Sequence, residues 1–221
     1  MTNGIKTLTI IFSNRITKKE IIHFRGAVIS ALTDNNVLFH NHKEKGFRYS
    51  YPLIQYKRIR GKAAIVGIGE GITILDEMLS SGQITLRLKK KETVFYVEEK
   101  ITEELDGLFS NEMASYQLHE WIPLNSENYE TYNSSESLAF RLTILEKILV
   151  GNLISFVKGM GIHLDQQINV SITQLKHEKV IKYKDVGLMC FDIIFKTNIV
   201  LPKNIGLGKS TSIGFGIINK H

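Results

Sequence analysis

Disulfides are excluded at once, because the 221 residues hold a single cysteine, Cys190. With no CxxC pair, a thiolate zinc site has nothing to build on. Cys190 falls in the apolar run 187–195, which predicts a buried, inert thiol. Long hydrophobic runs are missing too. The longest, such as residues 8–12 and 148–150, are far short of the roughly 20 residues a bilayer span requires. The first 15 residues alternate polar and apolar types, without the basic start, apolar stretch and small-residue cleavage site of a signal peptide. These absences predict a cytoplasmic protein with no membrane partner.

What is present suits folded domains. Apolar residues make up 43% and are spread evenly, enough to bury a core. The length fits two compact domains of about a hundred residues each. The net charge of +6 hides a segregation. Lys and Arg outnumber Asp and Glu by 12 to 4 in residues 1–70 and by 11 to 5 in residues 137–221, whereas residues 71–136 hold 5 against 13. Two basic ends and an acidic middle predict a basic face, for which a polyanion is the natural partner.

Residues 5–12 read as a strand, and Thr17-Lys18-Lys19-Glu20 as a capping box that opens a helix carrying Ile21, Ile22, Phe24, Val28, Ile29 and Leu32. A histidine-bearing loop follows. Residues 51–59 and 63–68 form a hairpin around Gly61, residues 72–79 a short helix, and residues 83–88 a fourth strand. The order βαββαβ is ferredoxin-like. An acidic connector over 91–111 leads to a second half with strands at 113–122, 168–175, 186–200 and 215–219 and one long helix from about Ser134 to Lys158. There, 176–185 reads as a polar hairpin tip, and no room remains for a second helix. The expected fold is α+β, two tandem ferredoxin-like (RRM-like) domains, 1–92 and 93–221, the second degenerate and ending in a glycine-rich loop.

Chemistry concentrates in residues 38–51, where His40, His42, Arg48, Tyr49 and Tyr51 stand among lysines. In an extended chain His40 and His42 emerge on one face. Paired imidazoles, titrating near neutrality, can take one proton and give another, as RNA cleavage by its own 2′-hydroxyl requires, while cations steady the phosphate charge. Two other readings compete: HxH as half of a metal site, for which no third ligand is evident, and plain surface histidines. His23 reads as a packing residue of the helix. His119, His163 and His177 stand alone.

Two further segments could meet phosphates. The hairpin offers Lys57 on one face and Arg58 with Arg60 on the other, followed by Lys62; charge protecting a solvated edge is the competing explanation. The loop 204–216 contains Gly208-Lys209-Ser210 but is no P-loop, since Lys203 stands where the first glycine belongs and a strand follows rather than a helix. Its reading is Lys203, Gly206, Gly208, Lys209, Ser210 and Thr211 at RNA phosphates, with Phe215 as anchor; the alternative is a structural turn.

The segments Phe24-Arg25-Gly26-Ala27-Val28, Leu38-Phe39-His40-Asn41-His42, Phe47-Arg48-Tyr49, Tyr51-Pro52-Leu53-Ile54-Gln55-Tyr56-Lys57 and the loop ending Gly214-Phe215-Gly216 resemble the CRISPR-associated endoribonucleases that cut precursor CRISPR RNA within its repeats, in the subtype with paired histidines. The resemblance implies RNA-recognition-type domains and cutting without metal or cofactor, leaving a 2′,3′-cyclic phosphate and a 5′-hydroxyl. It places catalysis on His40, His42 and Tyr49, with Tyr51 the alternative phenol, and adds Arg25 and Arg48 to the RNA contacts. The implied partner is CRISPR repeat RNA. An interference complex, a homodimer, and a catalytically silent guide-RNA-binding subunit stay open as alternatives. Residues 110–135 match no part of the pattern.

Overall fold

The computed structural model describes residues 4–31, the strand backbones at 42–43 and 46–47, residues 51–183 and residues 186–221. Elements of the first half are β1 (Ile5–Arg15), α1 (Ile21–Ala31), the short β2 (His42–Lys43) and β3 (Gly46–Phe47), β4 (Ile54–Ile59), β5 (Lys62–Ile68), α2 (Gly71–Met78), β6 (Gln83–Leu88) and β7 (Lys91–Leu105). The five long strands form an antiparallel sheet in the order β4-β5-β1-β7-β6. β1 is apolar or β-branched almost throughout and buried from Leu8 to Phe12, as a central strand covered on both faces should be. α1 starts where expected: the Thr17 amide and hydroxyl both donate to Glu20, at 2.8 and 2.9 Å. Its buried stripe is Ile21, Phe24, Ala27 and Val28, at helical spacing. Phe24 meets Phe12, Tyr56 and Phe95 with ring centroids 5.2–6.0 Å apart, the aromatic centre of this core. His23 is exposed, so the packing role expected for it does not hold. The reason is phase: it lies off the Ile21–Phe24–Val28 stripe.

β4, β5, β1 and β7 take the second, third, first and fourth places of a ferredoxin-like sheet. The expected fourth strand, Gln83–Leu88, is an additional edge strand paired to β7 alone. The true fourth strand is β7, which lies in the stretch expected as an acidic connector. β7 pairs with β1 from Ile5↔Leu105 to Phe12↔Val97, a ladder held by the backbone whose glutamates are exposed or half-buried. The chain accordingly divides at Asp106/Gly107 rather than at 92/93. The first unit is Gly4–Asp106 with Ser212–Gly214, and the second is Gly107–Thr211 with Phe215–His221.

The second unit contains β8 (Phe109–Trp121), α3 (Ser126–Asn133), α4 (Leu138–Gly159), β9 (Val170–Tyr183), β10 (Val186–Ile199) and β11 (Ile217–Lys220). Its sheet order β11-β8-β10-β9 is again that of a ferredoxin-like domain. The second helix is absent, and the glycine-rich loop occupies its place in the chain, with a three-residue helical turn at Thr211–Ile213. α4 buries Leu145, Leu149, Leu153, Phe156 and Val157 and begins at Ser137, whose hydroxyl accepts from the Phe140 amide. Residues 176–183, expected as a hairpin tip, continue β9: those from His177 to Tyr183 pair across to β10, from His177↔Asp192 to Tyr183↔Val186, and Lys176 sits at a shift of register. Polar side chains on an edge strand leave its ladder intact. The fold is α+β with two tandem ferredoxin-like domains, the second lacking one helix.

Candidate functional site

His40, Arg48 and Tyr49 lie outside the described residues. His42 is placed as backbone, paired with Phe47 in the β2–β3 ladder. Tyr51, the alternative phenol, is buried at 7% exposure. Arg25 is half-buried on α1, and its charge opposes the rise in the pKa of Tyr56 that burial causes. The Tyr56 hydroxyl is buried with no hydrogen-bond partner among the described residues.

The hairpin cations meet three different fates. Alternation along β4 holds: Tyr56 faces α1, and Lys57 points to the opposite side of the sheet, together with Gln55. That side is buried as well. Thr7, Thr9, Gln55 and Lys57 are each at most 3% exposed. Lys57 is therefore not an exposed phosphate contact, contrary to the sequence reading. Desolvation lowers its pKa to about 7, which makes it a side chain able to gain or lose a proton near neutrality. Arg58 is exposed, but its Nε donates to the Ile16 carbonyl at 2.8 Å. Arg60 is paired with Glu99, and Lys62 reaches both oxygens of Glu98 at 2.6 Å. The two cations at the turn thus carry their counter-charges from β7.

In the glycine-rich loop, several amides already have carbonyl acceptors. Leu207 donates to Gly216, Lys209 to Ile122, Phe215 to Ser210 and Gly216 to Glu120, at 2.8–3.4 Å. Two glycines are there for close approach. A Cβ at Gly208 (φ +89°) would stand 2.7 Å from the Trp121 indole, and one at Gly216 (φ +63°) would overlap the Leu207 carbonyl. The loop is seated on Trp121, whose Nε1 donates to Asn152 at 2.9 Å. Lys209 Nζ donates to the Leu124 carbonyl at 2.7 Å, and partial burial lowers its pKa. Thr211 and Gly206 are buried, Ser210 is half-buried in the left-handed region (φ 58°), and Lys203 is exposed. The structural alternative accounts for Gly206, Gly208 and Thr211; Lys203 and Ser210 keep surface for a ligand.

Sequence reasoning missed one cluster. His119 and His177, expected to stand alone, both approach the Asp192 carboxylate, with Nδ1 3.9 and 3.5 Å from its oxygens. The Glu120 amide also donates to Asp192 at 2.6 Å, and Lys179 pairs with Glu120 at 3.0 Å. The Asp192↔His177 pairing across β10 and β9 assembles it, and only strand register could have revealed it. Among the described residues no group of three His, Cys, Asp or Glu is arranged to hold a metal ion. No helix of the described residues is long and apolar enough to cross a membrane.

Comparison with known proteins covers the chain from end to end. Residues 3–106 match the sequence model of the Cas6b N-terminal domain, and residues 108–221 that of the Cas6b C-terminal domain. A crystal structure of Cas6b superposes with a TM-score of 0.85 at 27% identity, over 99% of this chain and all of that one. A second, of the CRISPR RNA processing endoribonuclease Cas6b, gives 0.73 at 26% identity with the same coverage. Among curated proteins, an uncharacterised protein of Methanocaldococcus jannaschii is 29% identical over 119 residues, 54% of this chain and 80% of its own length.

Proposed function

This chain belongs to the Cas6b family, and from that premise we propose that it is an endoribonuclease that binds CRISPR repeat RNA and cuts it once per repeat, without a metal. The observation that carries the reading is the match of both domains, in order and over the whole chain, to Cas6b, including a solved relative described as a CRISPR RNA processing endoribonuclease. His40 and His42 share the proton transfers. One takes the 2′-hydroxyl proton while the other protonates the departing 5′-oxygen, leaving a 2′,3′-cyclic phosphate and a 5′-hydroxyl. Tyr49 positions the phosphate or donates to it. The burial of Tyr51 supports Tyr49 over Tyr51 in that role, because a phenol must reach the substrate to act. The basic termini of the chain, with Arg25, Arg48 and Lys203 among their cations, supply the attraction for RNA.

The test is incubation of the purified chain with labelled repeat RNA in EDTA. One cut per repeat is expected, lost in His40→Ala and His42→Ala while RNA binding persists, and lost when the nucleotide 5′ of the scissile phosphate is 2′-deoxy. Cutting of the 2′-deoxy substrate would refute the mechanism. Binding without any cutting by the intact chain would make it a guide-RNA-holding subunit instead.

A further inference from the structure

Beside the end of β1, the first domain contains a cavity of about 450 Å³, within the size range of small-ligand sites. Its origin is a break in the ladder. The register of β1 on β7 shifts between Ile11 and Phe12, and Phe12↔Val97 is the last pair of the ladder. The side chain of Asn14 patches the gap, donating to the Val94 carbonyl at 2.9 Å and accepting from the Tyr96 amide at 3.3 Å. The β6–β7 hairpin runs on alone to its turn at Lys89-Lys90, and the space it leaves against Arg15 and Ile16 is the cavity.

Four cations surround this space: Arg15, Lys89, Lys90 and Lys91, all exposed. Among the described residues none of them is in an ion pair, unlike Arg60 and Lys62. The single carboxylate in the lining, Glu20, accepts from the Thr17 amide and hydroxyl, and Lys89 is near enough to help lower its pKa, so one carboxylate stands against four cations. The lining deeper in is apolar, from Ile16, Leu88 and Phe95. A second feature marks the hairpin. Lys89 has φ 59°, a left-handed turn position where glycine or asparagine would be free of strain. Keeping lysine there costs stability and places a third consecutive ammonium at the mouth of the cavity.

We propose that this cavity binds one unpaired nucleotide of the RNA, its phosphate held by Lys89, Lys91 and Arg15 and its sugar or base against the apolar lining. The proposal rests on the RNA-binding reading above and deepens it: it assigns single-stranded RNA to a site whose described lining lies on β1, α1's capping turn and the β6–β7 hairpin. A duplex end is too wide to enter so small a cavity, whereas a single strand can lay one residue into it.

The experiment compares the full wild-type chain with Lys89→Gln/Lys91→Gln, using single-stranded repeat RNA and the same RNA annealed to its complement. The double variant should bind the single strand about tenfold more weakly. Its log K against log salt slope should fall by up to about 0.7, the share of the one single-strand phosphate these lysines hold, and duplex binding should be unchanged. Lys89→Gly separates function from folding: its melting temperature should be no lower than wild type while its affinity for the single strand falls. Equal losses on both RNAs, or no loss on either, would overturn the proposal. Adenosine monophosphate binding that the double variant abolishes, with RNA affinity intact, would make the cavity a free-nucleotide site and overturn it as well. Failure of the wild-type chain to bind repeat RNA at all is a different result, which removes the proposed function itself.

Discussion

Replacing Lys57 with methionine should make the first domain more stable, and by an amount that depends on pH. The buried ammonium titrates at about 7 rather than its usual 10.5, a displacement of about 3.5 units caused by desolvation. At 1.36 kcal/mol per unit this is a penalty of up to about 5 kcal/mol. The sign follows from proton counting. Between pH 7 and 10.5 the unfolded lysine holds its proton and the folded one does not, so stability rises with pH through this window and the penalty is fully present below it. Wild type should therefore gain about 3 kcal/mol between pH 6 and pH 9 that Lys57→Met does not gain. Trp121, the only tryptophan, reports on the second domain, so fluorescence is the wrong probe. Hydrogen exchange of the β4 and β5 amides, converted to opening free energies at each pH, reads the first domain directly. If the two proteins track each other from pH 6 to pH 9, Lys57 is not a desolvated cation and its assignment here is wrong.

Gly216→Ala should cost about 3–4 kcal/mol by melting, since it forces a left-handed alanine and breaks the Leu207–Gly216 and Gly216–Glu120 hydrogen bonds. Gly69→Ala, at φ +53° with open space for a Cβ, should cost only about 1 kcal/mol; equal effects would show that the loop is not seated as described. Asn152→Ala leaves the buried Trp121 Nε1 without its acceptor and should destabilise the second domain by about 1–3 kcal/mol, seen as a lower urea midpoint in tryptophan fluorescence. Glu98→Gln with Glu99→Gln releases Lys62 and Arg60, and should tighten RNA binding and steepen its salt dependence. Unchanged affinity would remove the β4–β5 turn from the RNA surface.

Local signals in this chain translated directly into structure, and pairing-dependent ones did not. The capping box at Thr17, the stripe of α1 and the β4–β5 hairpin each involve residues close in sequence, so the sequence suffices to find them. β7 and the outer half of β9 are strands because β1 and β10 present ladders to them. Their own residues, rich in glutamate and lysine, have the composition of a connector. The same limit applied to side chains. His119, His177 and Asp192 come from three strands, and the seat of Gly208 is an indole on β8, far away in the chain.

Charge shows most clearly why counting by segment misleads. By segment, residues 71–136 are the acidic part of the sequence, and residues 1–70, which include the hairpin cations at 57–62, are a basic part. In the folded first domain the two exchange roles. Glu98 and Glu99 from the acidic segment neutralise Lys62 and Arg60, while Lys57 is buried and Arg58 is bonded to a backbone carbonyl. Lys89, Lys90 and Lys91, also from the acidic segment, form no ion pair among the described residues and gather with Arg15 around the cavity, with Glu20 the one carboxylate in its lining. A polyanion is attracted by uncompensated charge within about a Debye length, not by the number of lysines in a stretch of sequence. The unpaired cations at 15 and 89–91 should therefore contribute more to RNA binding than the paired ones at 60 and 62, although the sequence places the former in a segment with a net charge of −8 apart from Arg15.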